Sequence, residues 1–246
     1  LMIGFCAAIS AVLFWTFACS IWRKESKKIL PRQINIYKNV LASILFFPVV
    51  LTINWFSHVS SISLLIISGI VGIAIGDTLY INSLKIIGTR KTLSFEAFTP
   101  IIATTLSTLT IDDIYPQKVW IGSILVSFSI FMIVRQNTYQ KNYPKEKNFL
   151  GIFCAIGSVI CAVVAALISR IILISSTLSP LQTTEIRLLS ASIFLFLLFK
   201  KDFFELLEHR SITKKSHLNL FLSTFMGTNC GVLFQQVVFK FLPIGV

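Results

Sequence analysis

Long apolar stretches alternate with short polar stretches along most of this chain. A helix that spans a membrane needs about 20 mostly apolar residues. By this rule the pattern predicts eight membrane helices, at about residues 2–22, 34–54, 62–86, 89–110, 118–135, 149–171, 181–200 and 218–241. Residues 201–217 can hold a brief surface helix, and residues 242–246 resemble the turn into a ninth membrane helix. The predicted fold class is therefore an all-α integral membrane protein.

The composition agrees with this class and changes how the charge is interpreted. Of the 246 residues, 55% are hydrophobic and 13% are charged, whereas a soluble domain has about 25% charged residues. The net charge of +12 would favour nucleic-acid binding in a soluble protein. Here the basic residues lie mainly in the loops after helices 1, 3, 5 and 7, so the positive-inside rule predicts that these loops are cytoplasmic and that helix 1 starts outside. We expect a multi-pass protein of the plasma or inner membrane that contacts lipid and no nucleic acid.

Cysteine and histidine positions indicate no catalytic or metal centre. All five cysteines lie in apolar segments without a CxxC motif, and the three histidines lie in polar stretches outside these segments. The chain has no nucleotide-binding loop and no nucleophile–base arrangement. We therefore expect no catalytic residue, no metal site and no cofactor.

Positions in helices 1 to 3 recur in helices 6 to 8. The matches are Ala18 and Arg23 with Ala165 and Arg170; Pro31, Gln33 and Lys38 with Pro180, Gln182 and Arg187; and Gly72, Gly76 and Lys85 with Gly227, Gly231 and Lys240. The unit has five helices, and because this number is odd the second copy would insert upside down, as in the inverted repeats of many secondary transporters. We expect the first unit at residues 1–136, a cytoplasmic linker at 137–148 and the second unit at 149–246. The second unit stops before its fourth and fifth helices, so we expect ten helices in the intact protein.

Helix 4 carries a polar stripe with a proline in its middle. Residues spaced three or four apart fall on one helical face; they are Thr92, Glu96, Thr99, Ala103, Ser107 and Thr110. Pro100 removes the backbone hydrogen bond to the carbonyl of Glu96. Irregular backbone at membrane depth occurs where it is buried in protein or lines a wet cavity. The stripe is thus interpreted as a cavity wall, with a polar seam between helices as the alternative.

Helix 3 combines a glycine face with a carboxylate. Gly69, Gly72, Gly76, Tyr80 and Ser83 share this face, and the Gly72/Gly76 motif, repeated as Gly227/Gly231, is typical of close helix packing. Asp77 lies at its edge. Counted from the turn at Gly88, Asp77 and Glu96 are about 16 Å and about 12 Å deep, so both approach the middle of the membrane. Together they could share a proton or bind a cationic group; alternatively, a structural partner neutralises Asp77.

Two basic residues also lie inside predicted helices. Lys38 and Arg187 occupy equivalent repeat positions. They could extend to the lipid headgroups, bind an anionic substrate group, or pair with the carboxylates. Glu185 is predicted to be shallow and interfacial. The amides of helix 8, Asn229, Gln235 and Gln236, could hydrogen-bond a substrate or other helices.

These features resemble the EamA-type permeases of the drug/metabolite transporter superfamily. Trp15 resembles the family's helix 1 tryptophan, and Lys38 stands where the family usually has arginine. Residues 76–100, GDTLYINSLKIIGTRKTLSFEAFTP, are similar to its helix 3–4 hairpin, and residues 111–122, IDDIYPQKVWIG, to its acidic helix 4 end. This chain has Asp112 and Asp113 where the family commonly has a glycine followed by glutamate, and the predicted orientation is opposite to the family's usual one.

The resemblance implies a secondary transporter that exports a small metabolite, such as an amino acid or related compound, by alternating access. It adds Trp15 to the candidate site residues. Protons could be coupled through Glu96 or Asp77, and the protein would be a monomer or a homodimer. Two alternatives of other classes are an intramembrane enzyme acting on lipid-linked substrates and a non-transporting membrane scaffold or sensor.

Overall fold

The computed structural model describes residues 2–111, 115–135, 145–208 and 214–244, which form eight helices and no strand. The predicted all-α class is confirmed. The helices are α1 (Met2–Glu25), α2 (Pro31–Phe46, continued by a 3-10 turn at Phe47–Thr52), α3 (Val59–Ile86), α4 (Gly88–Glu96 and Thr99–Thr110), α5 (Gln117–Arg135), α6 (Lys145–Ser175), α7 (Pro180–Glu208) and α8 (214–241).

The helices form a multi-pass membrane protein. Five of them, namely α1, α2 with its continuation, α3, α6 and α7, are each long and apolar enough to cross a membrane. Large apolar side chains such as Met2, Leu51 and Phe56 are exposed on the outside. Extensive exposed apolar surface of this kind marks a membrane-facing protein.

Some boundaries differ from the predicted ones. Helix α6 already begins at Lys145, and α7 continues to Glu208 across a kink at Phe199, where φ is −128° and ψ is 30°. The helix expected within 201–217 is therefore the continuation of α7 beyond this kink. The acidic pair Asp112 and Asp113 and residues 137–144 of the expected linker lie outside the described residues.

Helix α4 is interrupted at the predicted place. It begins at Gly88, whose positive φ of 86° is favourable for glycine, and its first half ends at Glu96. The second half starts at Thr99, with Pro100 in its first turn, where a missing amide hydrogen is tolerated. The Ala97 carbonyl in the gap accepts a hydrogen bond from Ser127 Oγ on α5 at 2.6 Å. The carbonyl in the interruption thus has its hydrogen-bond donor on a neighbouring helix.

Helices α3 and α8 each contain a π-helical segment, which the apolar pattern did not predict. The segments are Gly69–Gly76 in α3 and Thr224–Cys230 in α8. They occupy equivalent positions in the repeat alignment. Because π-helical turns leave backbone carbonyls without the usual helical partner, they need other donors and often occur at functional sites. In α3 this donor is Asn35 Nδ2, which bonds the carbonyls of Ile73 and Ala74 at 3.1 and 3.0 Å.

The glycine motifs allow close packing between the two halves of the chain, as predicted. A Cβ atom added to Gly72 would clash with Ala165 on α6, and one added to Gly227 would clash with Ala18 on α1. Ala18 and Ala165 are themselves matched in the repeat alignment. Each half therefore places its glycine helix against the first helix of the other half.

Two arginines make equivalent helix-capping contacts. Arg23 Nη1 on α1 donates to the Leu84 carbonyl at the end of α3 at 2.7 Å. Arg170 Nη1 on α6 donates to the Phe239 carbonyl at the end of α8 at 2.7 Å. Because the last carbonyls of a helix lack internal partners, these guanidinium groups satisfy them. The aligned positions thus share contacts as well as residue types.

Candidate functional site

A cavity of about 470 Å³ lies between α1, α3, α4, α6, α7 and α8. Of the residues singled out in the sequence, those that line it are Trp15, Gly72, Gly76, Asp77, Tyr80, Glu96, Thr99, Pro100, Arg187, Gly231 and Gln235. Small-molecule sites have volumes of about 300–1,000 Å³. The cavity therefore has the size of a site for a small ligand.

Asp77 is neutralised by Lys38. Lys38 does not line the cavity; it reaches Asp77 from α2 and forms a salt bridge with its carboxylate. The Lys38 side chain is only 1% exposed, and its ammonium group lies 5.0 Å from the ring centre of Trp22, in a cation–π arrangement. Lys38 was predicted to extend to the lipid headgroups, to bind an anionic substrate group or to pair with a carboxylate. The structure shows the last of these roles.

Glu96 is a second carboxylate at the cavity, without such a partner. It ends the first half of α4, directly before the interruption, and lines the same cavity as Asp77. Its side chain makes no hydrogen bond or salt bridge with any residue that the structure describes. An ionised group inside a membrane protein is costly unless it is paired or in contact with water. Glu96 thus provides a negative charge or a proton-accepting group that is open to a ligand.

Arg187 provides the corresponding cationic group. Its side chain lines the cavity from α7 and is buried, and Nε and Nη1 have no hydrogen-bond partner within the described part of the chain. The guanidinium lies against Gly72, where an added Cβ would be 3.2 Å from Nη2. The glycine therefore leaves space for the guanidinium as well as for close helix packing. A buried hydrogen-bond donor without a partner is energetically unfavourable. A ligand with an acceptor group, such as a carboxylate, would therefore gain a hydrogen bond from the Arg187 guanidinium.

Aromatic rings form another part of the wall. Trp15 on α1 and Tyr80 on α3 lie with ring centres 6.0 Å apart, and Trp22 packs edge-on against Trp15 at 5.3 Å. The Tyr80 hydroxyl lies 3.2 Å from Cys19 Sγ, a contact that fixes the ring from behind. The resemblance gave Trp15 a place at the site, and in the structure Trp15 lines the cavity.

Besides Lys38, the predicted substrate residues Thr92 and Asn229 lie away from the cavity, as does the predicted packing residue Gly227. Thr92 is buried against α3, where its hydroxyl bonds Ser83 Oγ at 2.8 Å. Asn229 Nδ2 donates to the Ala42 carbonyl at 3.0 Å, and Gly227 is packed on Ala18. The placement of Thr92 and Asn229 in a substrate-lining wall is therefore wrong.

The continuous polar stripe on helix 4 is also wrong as a cavity wall, because four of its six residues lie away from the cavity. Ala103 packs in an apolar cluster, Ser107 bonds the Tyr115 hydroxyl at 2.9 Å, and Thr110 is exposed. Of the six stripe positions, only Glu96 and Thr99 line the cavity. Thr92, which bonds Ser83 of α3, fits the alternative interpretation, a polar seam between helices.

Glu185 is a further correction, since it is not interfacial. It is fully buried, and its Oε1 accepts a hydrogen bond from Ser43 Oγ on α2 at 3.1 Å. Its position near the start of α7 indicated shallow depth, but α2 packs along α7 there and covers the carboxyl group.

One wall of the cavity was not assigned to particular residues in the sequence. It consists of small α6 side chains spaced four apart: Ser158, Ala162 and Ala166. This spacing places them on one face and was a usable signal. No group of three or more histidine, cysteine, aspartate or glutamate side chains that could hold a metal ion occurs among the described residues.

Comparisons with known proteins agree with this architecture. The sequence model of the EamA-like transporter family matches residues 2–135, which is 134 of the 246 residues. A solved structure, titled only as the crystal structure of a protein, superposes with a TM-score of 0.73 at 12% sequence identity, covering 99% of this chain and 80% of its own. At this identity the superposition shows a shared fold. A search of curated proteins finds no match.

Proposed function

Because the chain belongs to the EamA-like transporter family of the drug/metabolite transporter superfamily, we propose that it is a secondary transporter for a small zwitterionic metabolite, such as an amino acid or a related compound. Transport occurs by alternating access, and the proposed direction is export across the plasma or inner membrane. The observation that carries this proposal is the presence, at a single cavity, of one carboxylate and one guanidinium that form no salt bridge with any residue the structure describes.

The charges at the cavity favour a zwitterion over an ion of one sign. Asp77 and Lys38 neutralise each other, so Glu96 and Arg187 remain as one negative and one positive group. An ammonium group of the substrate would pair with Glu96, and a carboxylate would bind the Arg187 guanidinium, which presents a planar fork of donors. A substrate with both groups neutralises both residues at once. The rings of Trp15 and Tyr80 would contact the apolar remainder.

Matching contacts in the two halves support alternating access. The glycine contacts of Gly72 and Gly227 and the capping contacts of Arg23 and Arg170 each occur at aligned positions. Inverted repeats commonly place a substrate site between two units that exchange conformations. We propose that the two halves are such units and that they rock around the cavity, with the interrupted α4 and the π-helical segments as their flexible parts.

The direct test is transport by the full-length protein in proteoliposomes. Candidate zwitterions are loaded singly, and efflux is followed by mass spectrometry of the external medium. Glu96→Gln removes one charge at nearly constant shape and Arg187→Gln replaces the guanidinium by a shorter neutral amide; we expect each to lower transport about tenfold or more, the effect of losing about 1.4 kcal/mol of binding. Glu205→Gln, on the exposed surface of α7, is the matched control and should transport normally.

The substrate charge is tested with the same variants. An amine without a carboxylate should bind less well to wild type than the zwitterion, and Arg187→Gln should remove this difference. If both cavity variants transport zwitterions like wild type, the charge assignment is refuted. If wild type moves no small polar metabolite, the transporter assignment itself fails.

A scaffold or sensor would need no wet cavity, and cysteine labelling distinguishes it from a transporter. Thr99→Cys places a thiol at the cavity, whereas Ala103→Cys places one in the apolar cluster of α4 and α6. A membrane-permeant aqueous thiol reagent should label the first variant and leave the second unlabelled, and substrate should protect the first. If both thiols stay unlabelled in the absence of substrate, the cavity is dry and a scaffold is favoured.

A further inference from the structure

Outside the cavity, Glu185 is a fully buried carboxyl group that the proposed substrate site does not use. Its Oε1 accepts a hydrogen bond from Ser43 Oγ across the contact between α2 and α7, and its Oε2 has no partner within the described residues. These helices belong to different halves of the chain. A carboxylate buried with one neutral hydrogen bond retains most of the cost of its desolvation.

Within the described residues, no cation pairs with Glu185. On α2, Lys38 is paired with Asp77 of α3, and Arg187 lies two residues along α7, a spacing at which helical side chains do not face each other. The 3-10 turn Phe47–Thr52 and the part of α3 before Asp77 contain no titratable side chain, and α8 presents Cys230, a neutral thiol, beside Asn229. The described salt bridges include none to Glu185.

Two further buried acceptor oxygens, on α2 and α8, have no hydrogen-bond partner among the described residues. Asn39, one helical turn before Ser43, and Asn229, which donates to the Ala42 carbonyl, each have a buried Oδ1 without a partner. With Glu185 Oε2, three helices that contact one another thus each carry one buried acceptor oxygen without a partner in the described part of the chain. A carboxylate accepts hydrogen bonds only, whereas a protonated carboxyl group also donates one. One proton on Glu185 would both remove its charge and supply a missing donor.

We propose that Glu185 is a proton-binding site that links α2 to α7 and is separate from the substrate cavity. The carboxyl group holds its proton while the two helices are packed together. When the contact opens to water on one side of the membrane during transport, Glu185–COOH transfers the proton to a water molecule, forming a hydrated carboxylate and H₃O⁺, and before the contact closes again the carboxylate takes a proton from H₃O⁺ in water that enters from the other side. Each cycle thus exchanges a proton at the interface of the two halves. The link to transport rests on the proposed function, whereas the protonation of Glu185 does not.

Infrared spectroscopy of the purified full chain tests the protonation. At neutral pH, wild type should show the carbonyl stretch of a protonated carboxylic acid with slow hydrogen–deuterium exchange. Glu185→Gln should remove this component, whereas Glu96→Gln in the cavity and Glu205→Gln on the surface should keep it. Ser43→Ala removes only the hydrogen bond to Glu185 and should shift the frequency of this carbonyl stretch. It therefore tests the same carboxyl group if Glu185→Gln folds poorly.

Transport in proteoliposomes tests the coupling. With one proton exchanged per substrate, a gradient of one pH unit changes substrate accumulation about tenfold, because each unit is a tenfold change in proton activity. Glu185→Gln should lose this dependence and keep the wild-type KM, whereas Glu96→Gln should change KM.

Several results would overturn the proposal. An infrared spectrum unchanged by Glu185→Gln would show that the group is ionised. A carboxylate band that responds to Na⁺ at constant pH, in wild type but not in Glu185→Gln, would assign the site to Na⁺ instead. A wild-type pH dependence that survives in Glu185→Gln would place the coupling elsewhere. Failure of wild type to transport would refute the proposed function, and the infrared result would still decide the state of Glu185.

Discussion

Replacing Lys38 or Asp77 singly should destabilise the protein strongly, and replacing both should not. The two side chains form a salt bridge in which Lys38 is 1% and Asp77 is 15% exposed. Removing one partner of a buried pair leaves an uncompensated charge and costs about 3–5 kcal/mol, whereas replacing both by neutral groups of similar volume is often neutral. The structure also predicts which single change costs more.

Asp77→Asn should be the more destabilising change. It leaves the Lys38 ammonium group almost without solvent, beside Trp22, whose ring contributes about 0.5–2 kcal/mol of cation–π attraction. Lys38→Met leaves the Asp77 carboxylate at the cavity, where water can solvate it. We expect losses of about 4–5 kcal/mol for Asp77→Asn and about 3 kcal/mol for Lys38→Met, with the double variant within about 1 kcal/mol of wild type.

The measurement is a double-mutant cycle on the free energy of unfolding in detergent micelles. The expected single and double losses correspond to a coupling energy of about 6 kcal/mol or more, since charged neighbours in one contact are strongly non-additive. Glu205→Gln is the control for loss of an exposed carboxylate. If the two single changes add up in the double variant, the salt bridge contributes nothing and the neutral-pair description of the cavity is refuted.

Three further changes test packing and backbone contacts, each by thermal unfolding of the purified protein. Gly227→Ala should lose about 1–3 kcal/mol because the new methyl group meets Ala18; Gly122→Ala, with open space at its Cβ, is the control, and equal stability of the two variants would contradict the packing argument. Arg23→Met should lose about 1–3 kcal/mol because the Leu84 carbonyl loses its donor, and an unchanged unfolding temperature would show that water replaces the guanidinium. Asn35→Ala should cost a similar amount and reduce transport, because two π-segment carbonyls lose their donor; a stable variant with normal transport would separate this segment from function.

Helix positions were predictable because they depend on local composition. A run of about 20 apolar residues can satisfy its backbone in lipid only as a helix, so all eight helices could be located from the sequence. Pro100 and Gly88 act on their own backbone, and the interruption of α4 and the turn before it occur where the sequence indicated. The π-helical segments were missed because apolar periodicity contains no information on which carbonyls will find a donor in another helix.

Side-chain partners were less predictable. The sequence indicated that Asp77, Glu96, Lys38 and Arg187 lie inside membrane helices, and it left open how they pair. Their similar depth followed from counting residues, but depth does not determine the direction in which a side chain points. Thr92 and Glu185 were misplaced for this reason: one packs against Ser83 of α3 and the other is covered by Ser43 of α2.

The sequence by itself determined that this chain is a helical membrane protein, which residues break its helices, and which charged groups must be shielded from lipid. Those properties follow from the free-energy cost of placing polar groups in hydrocarbon. This cost depends on the residues of each segment and not on its neighbours. Only the tertiary structure decided that Lys38 neutralises Asp77, that Glu96 and Arg187 lie at one cavity without a salt bridge to any described residue, and that Glu185 is enclosed between two helices. Pairing depends on the rotation and contact of neighbouring helices, and these are set by packing across the whole bundle.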